Sequence, residues 1–143
     1  MATLKINELN KNFGITEVLK GINLDINDGD FLVLLGPSGC GKSTLLNTIS
    51  GLETINSGEI LIDNHVVNNM EPSDRDIALV FQSYALYPAM TVKKNVTFGL
   101  EQRKTPKEKI AQALEEVSNL LQINELLERK PSQLSGGQRQ RVA

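Results

Sequence analysis

The sequence lacks several features that define large classes of proteins. It contains one cysteine, Cys40, among 143 residues, so no disulfide bond can form within the chain. No apolar run approaches the roughly 18 residues that a membrane span needs, and residues 1–8 lack the apolar region of a signal peptide. We therefore expect a cytoplasmic protein, which can still lie against a membrane through a partner.

The net charge is small, and the chain has a single histidine. The formal net charge is −2, which argues against a protein that binds nucleic acid or a membrane surface mainly by electrostatic attraction. We expect no nucleic-acid partner. His65 is the sole histidine and follows the turn residues Asp63 and Asn64. Because no second metal-type ligand is spaced with it, we expect His65 to be an exposed turn residue and not a metal ligand.

One stretch is typical of phosphate chemistry, namely residues 36–44, Gly-Pro-Ser-Gly-Cys-Gly-Lys-Ser-Thr. It follows the apolar run 31–35 and precedes residues 45–50, which are typical of a helix, so Gly-x4-Gly-Lys-Ser occurs in the strand-to-helix context of a P-loop. The glycines let backbone N–H groups wrap a phosphate, and the positive end of the helix faces the same anion. Lys42 would reach the β- and γ-phosphates, and Ser43 would ligate Mg²⁺. The alternative is a glycine-rich turn before an ordinary helix.

Strands are indicated by two kinds of apolar pattern. Residues 3–9 and 18–26 alternate apolar and polar side chains, as half-buried strands do. Residues 59–67 are typical of a short hairpin. Residues 31–35 and 77–81 are continuous apolar runs of strand length. They predict strands buried on both faces, as in a parallel sheet that is covered by helices.

Helical patterns follow the P-loop and dominate the second half of the chain. The first helix is expected to end near Gly51. Residues 91–102 form a second helical pattern. Residues 107–121 form the clearest one, with Thr105 as its N-terminal cap and apolar side chains on one face. Together with the strands, these helices predict an α/β fold.

Two further positions are compatible with a phosphate or metal site. Gln82 follows the predicted strand 77–81, where a glutamine can orient water or contact a metal, although Tyr84 and Tyr87 beyond it fit packing residues equally well. Residues 135–137, Ser-Gly-Gly, precede a helix and offer a hydroxyl and free N–H groups to an anion. The alternative is a capped helix start, and the residues alone leave both interpretations open.

The P-loop at 36–44, Gln82 after a strand, and Leu-Ser-Gly-Gly-Gln at 134–138 occur in the order found in ATP-binding cassette proteins. The chain resembles that family over essentially its whole length. It is most similar to the ATPase subunits of bacterial carbohydrate importers of the maltose and multiple-sugar type. Three shorter matches carry this narrower resemblance, at residues 74–77, 81–88 and 138–143. Polyamine importer ATPases are the nearest rival, and they more often have Phe at the place of Tyr87.

The resemblance implies an α/β fold of the P-loop NTPase type, the nucleotide-binding domain of a cassette protein. It implies an antiparallel β subdomain and a P-loop core at residues 1–82, and a helical subdomain at 83–143 that ends in the signature motif. In this family the Walker B strand, the catalytic glutamate, the D-loop and the switch histidine follow the signature. The domain is therefore expected to be C-terminally incomplete, and the chain alone to bind ATP weakly and hydrolyse it negligibly.

The resemblance also implies roles for individual residues. Phe13 takes the place of the aromatic ring that stacks on adenine. Ser43 and Gln82 would flank Mg²⁺, with Gln82 also positioning water, and no complete catalytic set is present. The phosphates of ATP are implied to contact Gly36, Pro37, Ser38, Gly39, Cys40, Gly41, Lys42, Ser43 and Thr44. The γ-phosphate bound to a second subunit is implied to contact the signature residues Ser135, Gly136, Gly137 and Gln138.

The implied cofactors are ATP and Mg²⁺. The implied partners are a second ATPase subunit in a head-to-tail dimer and transmembrane permease subunits, which residues 82–88 would contact at the inner face of the cell membrane. In such importers the membrane subunits and a separate binding protein select the substrate, so this chain does not define the sugar. Two alternatives stay open, a soluble cassette ATPase of DNA repair or translation and a non-catalytic fragment that at most binds nucleotide.

Overall fold

The structure, a computed structural model, describes residues 2–143. The chain divides after Leu79 into two compact units. The first unit contains strands β1 (Leu4–Phe13) and β2 (Thr16–Ile26), helix α1 (Lys42–Ser50), and strands β3 (Ser57–Ile62) and β4 (His65–Val66). The second unit contains helices α2 (Val92–Gln102), α3 (Lys107–Leu120) and α4 (Gly136–Val142), with short 3-10 turns between them.

The strands of the first unit form a four-stranded antiparallel sheet in the order β2-β1-β3-β4. Strand β1 lies between β2 and β3, so that Leu4 pairs with Ile26 on one side and with Ile62 on the other. Alternation along the strands turns apolar side chains to one face, where burial stabilises the fold by about 1.5–3 kcal/mol for each large side chain. The core buries Ile6, Leu9, Leu19, Leu45, Ile60 and Val67. The prediction of half-buried strands is confirmed here.

The turn that joins β3 to β4 is centred on Asp63 and Asn64, which lie in the left-handed region with φ of 47° and 63°. Two successive residues of this kind are typical of a type I′ hairpin turn, whose twist matches that of the flanking strands. His65 follows and is exposed, and its Nδ1 lies 2.8 Å from the carbonyl oxygen of Asp63. His65 is exposed as predicted, but it is the first residue of β4 and not a turn residue.

The prediction of strands at residues 31–35 and 77–81 is wrong for this structure. Neither run belongs to a strand, and Phe31 and Leu35 are 92% and 89% exposed. A strand buried on both faces needs hydrogen-bonded neighbours at its edges and helices over its faces. Within residues 2–143 the sheet pairs β1 to β4 only with one another, so neither apolar run has a ladder to join.

The second unit packs its helices around a core of Val92, Ile123, Leu126, Leu134 and Val142. Helix α2 is capped by Thr91, whose Oγ1 accepts a hydrogen bond from the N–H of Lys94 at 3.3 Å. Such a cap is worth about 1 kcal/mol. Helix α3 has Pro106 at its N-terminal capping position and no side-chain cap, so the expected cap by Thr105 is wrong. Across residues 2–143, every helix falls short of the length and apolarity that crossing a bilayer requires.

Candidate functional site

The clearest site candidate is the loop of residues 36–41, which leads into α1. Its last residue, Gly41, is the helix N-cap and lies in the left-handed region with φ of 98°. A Cβ there would lie 3.1 Å from Leu19 Cδ2 and 3.2 Å from the carbonyl oxygen of Val18, so both conformation and space require glycine. The N–H of Leu45 donates to the carbonyl oxygen of Gly41 at 2.8 Å. The N–H groups before it have no intrahelical acceptor and can face an anion.

Lys42 folds back over this loop. Its Nζ donates to the carbonyl oxygens of Gly36 at 2.7 Å and Pro37 at 2.8 Å, and it lies 3.4 Å from Cys40 Sγ. These contacts hold the ammonium against the loop backbone. A phosphate oxygen would bind the ammonium more strongly than a neutral carbonyl does, because its negative charge adds a Coulomb attraction to the hydrogen bond. The loop therefore has the backbone donors and the cation of an anion-binding site.

Ser43, the second residue of α1, is exposed and offers one hydroxyl oxygen. Of its neighbours, Ser38, Gly39 and Cys40 are exposed and Thr44 is half-buried. Throughout residues 2–143, no group of three or more His, Cys, Asp or Glu side chains is placed to hold a metal ion. Because Mg²⁺ often keeps several waters and binds substrate phosphates, a site built on Ser43 would take most of its ligands from the nucleotide and water.

Phe13 ends β1 in the same unit and is 46% exposed. The Nζ of Lys11 lies 4.8 Å from the centre of the Phe13 ring, within the range of a cation–π interaction. A ring at a strand end that keeps much of its surface exposed can stack on a base. The geometry of Phe13 thus fits the role that the resemblance implies.

Sequence reasoning missed Arg75, which stabilises the far end of α1. Arg75 is 5% exposed, and its guanidinium donates to the carbonyl oxygens of Thr48 at 2.9 Å, Ile49 at 2.8 Å and Met70 at 3.1 Å. It satisfies carbonyl groups at the C-terminal end of the helix, where the dipole also favours a positive charge. Burial lowers the pKa of Arg75. The only signal in the sequence is a lone arginine between two aspartates, and this pattern does not indicate a helix cap.

The second expected phosphate contact lies at the start of α4. Ser135 is the N-cap: its Oγ accepts from the N–H of Gln138 at 3.3 Å, and its N–H donates to Gln138 Oε1 at 2.8 Å. This reciprocal pair is a capping box, and Gly136 and Gly137 are exposed in the first turn. The capped helix start is therefore present. An anion contact is still compatible with it, because a hydroxyl that accepts a hydrogen bond keeps its own O–H as a donor.

Gln82 and the segment after it belong to the second unit. Gln82 is exposed and lies in a turn that is closed by a hydrogen bond from the N–H of Tyr84 to the carbonyl oxygen of Phe81 at 2.8 Å. The ring of Tyr87 packs against Phe98, with the ring centroids 4.7 Å apart. A packing role for Tyr87 is therefore observed, although 47% of the residue stays exposed.

The structure distributes the expected site residues between the two units. Phe13 and residues 36–44 lie in the first unit, and Gln82 and residues 134–138 lie in the second. A glycine-rich loop with a lysine at the start of a helix, in a chain that also has an antiparallel sheet and a helical unit, is the arrangement of a P-loop protein.

Comparisons with known proteins identify the family. A family model described as ABC transporter matches residues 19–143, and the chain belongs to the ABC transporter family. The sn-glycerol-3-phosphate import ATP-binding protein UgpC of Brucella abortus (strain 2308) is 58% identical over 144 aligned residues. The protein of the same name from Bordetella avium (strain 197N) is 56% identical. All of this chain is covered in both cases, but it spans only 41% and 40% of the length of these relatives.

Solved structures agree with the fold. The ATP-binding cassette MJ0796, in a dimeric post-hydrolysis state bound to ADP and Pi, gives a TM-score of 0.86 at 33% identity. That match covers 97% of this chain and 66% of the MJ0796 chain. A second dimeric structure of MJ0796, a bacterial ABC transporter cassette, gives a TM-score of 0.87. The α/β cassette fold expected from the resemblance is confirmed, and so is the similarity to importer ATPases.

Proposed function

We propose that this chain is the nucleotide-binding part of the ATP-hydrolysing subunit of an importer for a carbohydrate or a glycerol phosphate. The observation that carries the proposal is the Lys42 ammonium, held by the carbonyl oxygens of Gly36 and Pro37 at the start of α1. It occurs in a chain that is 58% identical to an import ATP-binding protein. The two units then correspond to a β subdomain with its P-loop core and to a helical subdomain.

The proposed role of each site residue follows from the groups that it offers. Lys42 and the N–H groups at the start of α1 would hold the phosphates of ATP, and Phe13 would stack on the base. Ser43 and Gln82 would contact Mg²⁺, with Gln82 positioning water. Residues 135–138 would contact the γ-phosphate on a second subunit, which is supported by the O–H of the serine that the capping box leaves as a donor.

The proposed partners are a second ATPase subunit and the permease subunits of the importer. A head-to-tail dimer is supported by the dimeric MJ0796 structures. Contact with permease subunits through residues 82–88, at the cytoplasmic face of the membrane, is supported by the names of the relatives, which are import ATP-binding proteins. Hydrolysis in the complete dimer would open and close it, and so drive alternating access in the membrane subunits.

Nucleotide binding can be tested on this chain by calorimetric titration with Mg-ATP. Removing the ammonium in Lys42→Ala should weaken binding by about tenfold or more, because it deletes a charge-assisted contact with phosphate. The matched control is Lys20→Ala, an exposed lysine whose Nζ lies 3.5 Å from Glu17 Oε2. It should bind ATP like the wild type. A wild-type chain that binds no ATP, or a Lys42→Ala variant that binds equally well, would contradict the proposal.

A further inference from the structure

Lys11 on β1 is buried to a degree that is unusual for lysine, with 7% of the residue exposed. Its Nζ lies 3.1 Å from Glu53 Oε2 and 4.8 Å from the centre of the Phe13 ring. A buried ammonium is stable only when other groups compensate its charge. The carboxylate and the ring together therefore determine where this ammonium lies.

Glu53 is itself held in place by the backbone around it. Its N–H donates to the carbonyl oxygen of Asn47 in α1 at 3.1 Å. A little further along the same loop, Asn56 Oδ1 accepts a hydrogen bond from the N–H of Asn12 at 2.7 Å, which joins the loop to β1. The backbone that carries Glu53 is thus tied to the helix that follows the P-loop, and the loop beyond it is tied to the strand that carries the ring.

We propose that Lys11, anchored by Glu53, is a positioning residue that holds the Phe13 ring for stacking on a purine base. The ammonium is attracted to one face of the ring by the ring quadrupole, so a base can stack only on the opposite face. Phe13 remains 46% exposed, which leaves surface for that contact. The inference rests on the proposed function, because it takes the base of the bound nucleotide to lie against Phe13.

Two simpler roles for Lys11 predict different behaviour. If Lys11 only stabilises the fold, its loss changes the free energy of unfolding but not the preference between ligands with and without a base. If Lys11 only attracts the triphosphate by charge, its loss weakens binding of ATP and of inorganic tripolyphosphate alike, and added salt reduces the difference. A positioning role weakens the binding of ATP and leaves the binding of tripolyphosphate unchanged.

The arrangement of the three side chains can be measured without any ligand by NMR of the full chain. The ε-methylene protons of Lys11 should be shifted upfield by the ring current of Phe13, and Phe13→Leu should abolish the shift. Glu53→Gln should move the resonances toward their random-coil values, because the ammonium loses its anchor. Glu17→Gln is the matched control, since it removes the carboxylate of an exposed pair with Lys20 on the neighbouring strand. Random-coil resonances of Lys11 in the wild type would overturn the proposal.

The consequence for binding is tested by titrating each variant with Mg-ATP and with tripolyphosphate. Lys11→Met should weaken ATP binding by about three- to tenfold, whereas tripolyphosphate should bind as it does to the wild type. Lys11→Arg should retain ATP binding, because a guanidinium can both stack on a ring and pair with a carboxylate. Lys20→Met controls for the loss of one positive charge. If Lys11→Met fails to fold, Glu53→Gln provides the same comparison with the lysine still present.

The possible outcomes separate this inference from the proposed function. The positioning role is overturned if Lys11→Met binds ATP and tripolyphosphate more weakly by the same factor. It is also overturned if Lys11→Met binds ATP like the wild type while Phe13→Ala binds it more weakly. Both results leave the proposal of ATP binding intact. Unchanged ATP binding in Phe13→Ala overturns the stacking role of the ring. The expected result is that selectivity for ATP over tripolyphosphate falls in Lys11→Met, Glu53→Gln and Phe13→Ala, and that Lys11→Arg keeps it.

Discussion

Helices α1 and α4 both have glycine at their N-terminal ends, and the two ends are capped in different ways. Before α1, Gly41 caps the helix without any side-chain bond, and Lys42 bonds the loop carbonyls at 2.7 and 2.8 Å. Before α4, Ser135 and Gln138 satisfy one another through a capping box. The start of α1 therefore places N–H groups and an ammonium where an anion can bind. The capping box at the start of α4 satisfies the N–H groups of Ser135 and Gln138, and it leaves the N–H groups of Gly136 and Gly137 and the Ser135 hydroxyl as donors.

Among the variants that compare α1 with α4, the largest effect is expected for two arginines, Arg75 at the C-terminal end of α1 and Arg141 in the last turn of α4. Arg75 is buried and donates to carbonyl oxygens at the end of α1, whereas Arg141 of α4 is exposed and donates to Leu121 and Gln122 at 3.0 and 3.1 Å. Arg75→Met should lower the free energy of unfolding by about 2–3 kcal/mol, because it removes charged donors from the partly buried carbonyl oxygens of Ile49 and Met70 and one of two donors from that of Thr48. Arg141→Met should cost less than about 1 kcal/mol. Urea unfolding followed by circular dichroism measures both, and equal losses would contradict the assignment of Arg75 as the cap of α1.

The next largest effect on stability is expected for the glycines at the starts of α1 and α4, Gly41 and Gly137. Gly41→Ala forces a Cβ into the left-handed region and toward Leu19 and Val18, so it should destabilise the chain by about 1–2 kcal/mol from conformation alone. Gly137→Ala has open space and helical geometry, so it should stabilise the chain by about 0.5–1 kcal/mol. Thermal melts of the two variants should therefore shift in opposite directions. Shifts of the same sign would show that the two glycines do not differ as described.

A smaller effect concerns the capping box of α4. Ser135→Ala removes the oxygen that accepts from the N–H of Gln138, and it should cost about 1 kcal/mol of stability. Ser135→Asp is the matched variant, because aspartate caps a helix as well as serine does but adds a negative charge where a phosphate would bind. Chemical denaturation should show a loss for the alanine variant alone. An alanine variant as stable as the wild type would mean that the cap is not formed in solution.

The smallest effect is expected in the apolar run that leads into the P-loop. Phe31 is 92% exposed, so Phe31→Ser should change the free energy of unfolding by no more than about 0.5 kcal/mol. Ile60→Ala is the buried comparison, since Ile60 is 1% exposed in the core of the same unit, and it should cost about 2–5 kcal/mol. A loss for Phe31→Ser close to that for Ile60→Ala would show that residues 31–35 are buried in solution.

Local patterns in the sequence were enough to predict some parts of the structure. The hairpin turn at Asp63 and Asn64, the helix at 91–102 and the helix after the P-loop each depend on residues close together in the chain. The P-loop could be found for the same reason, since residues 36–44 carry the whole motif. Short-range hydrogen bonding and backbone preference decide such features.

Features that depend on distant partners could not be predicted in this way. The apolar run 31–35 has the composition of a buried strand, but a strand forms only when another strand pairs with it, and none within residues 2–143 does. Arg75 caps a helix that ends well before it in the chain, and Lys11 meets Glu53 across the fold. No local periodicity reveals these long-range contacts.

The comparison between the starts of α1 and α4 is tested most directly by titrating Mg-ATP into Lys42→Ala and Ser135→Ala. The protein concentration is one at which sedimentation shows the chain to be monomeric. The account predicts that Lys42→Ala weakens binding by about tenfold or more, because the P-loop supplies the phosphate contacts. Ser135→Ala should bind within about twofold of the wild type, because the proposed contact of Ser135 is with a nucleotide on a second subunit. Equal weakening in both variants, or weakening in Ser135→Ala alone, would contradict the account.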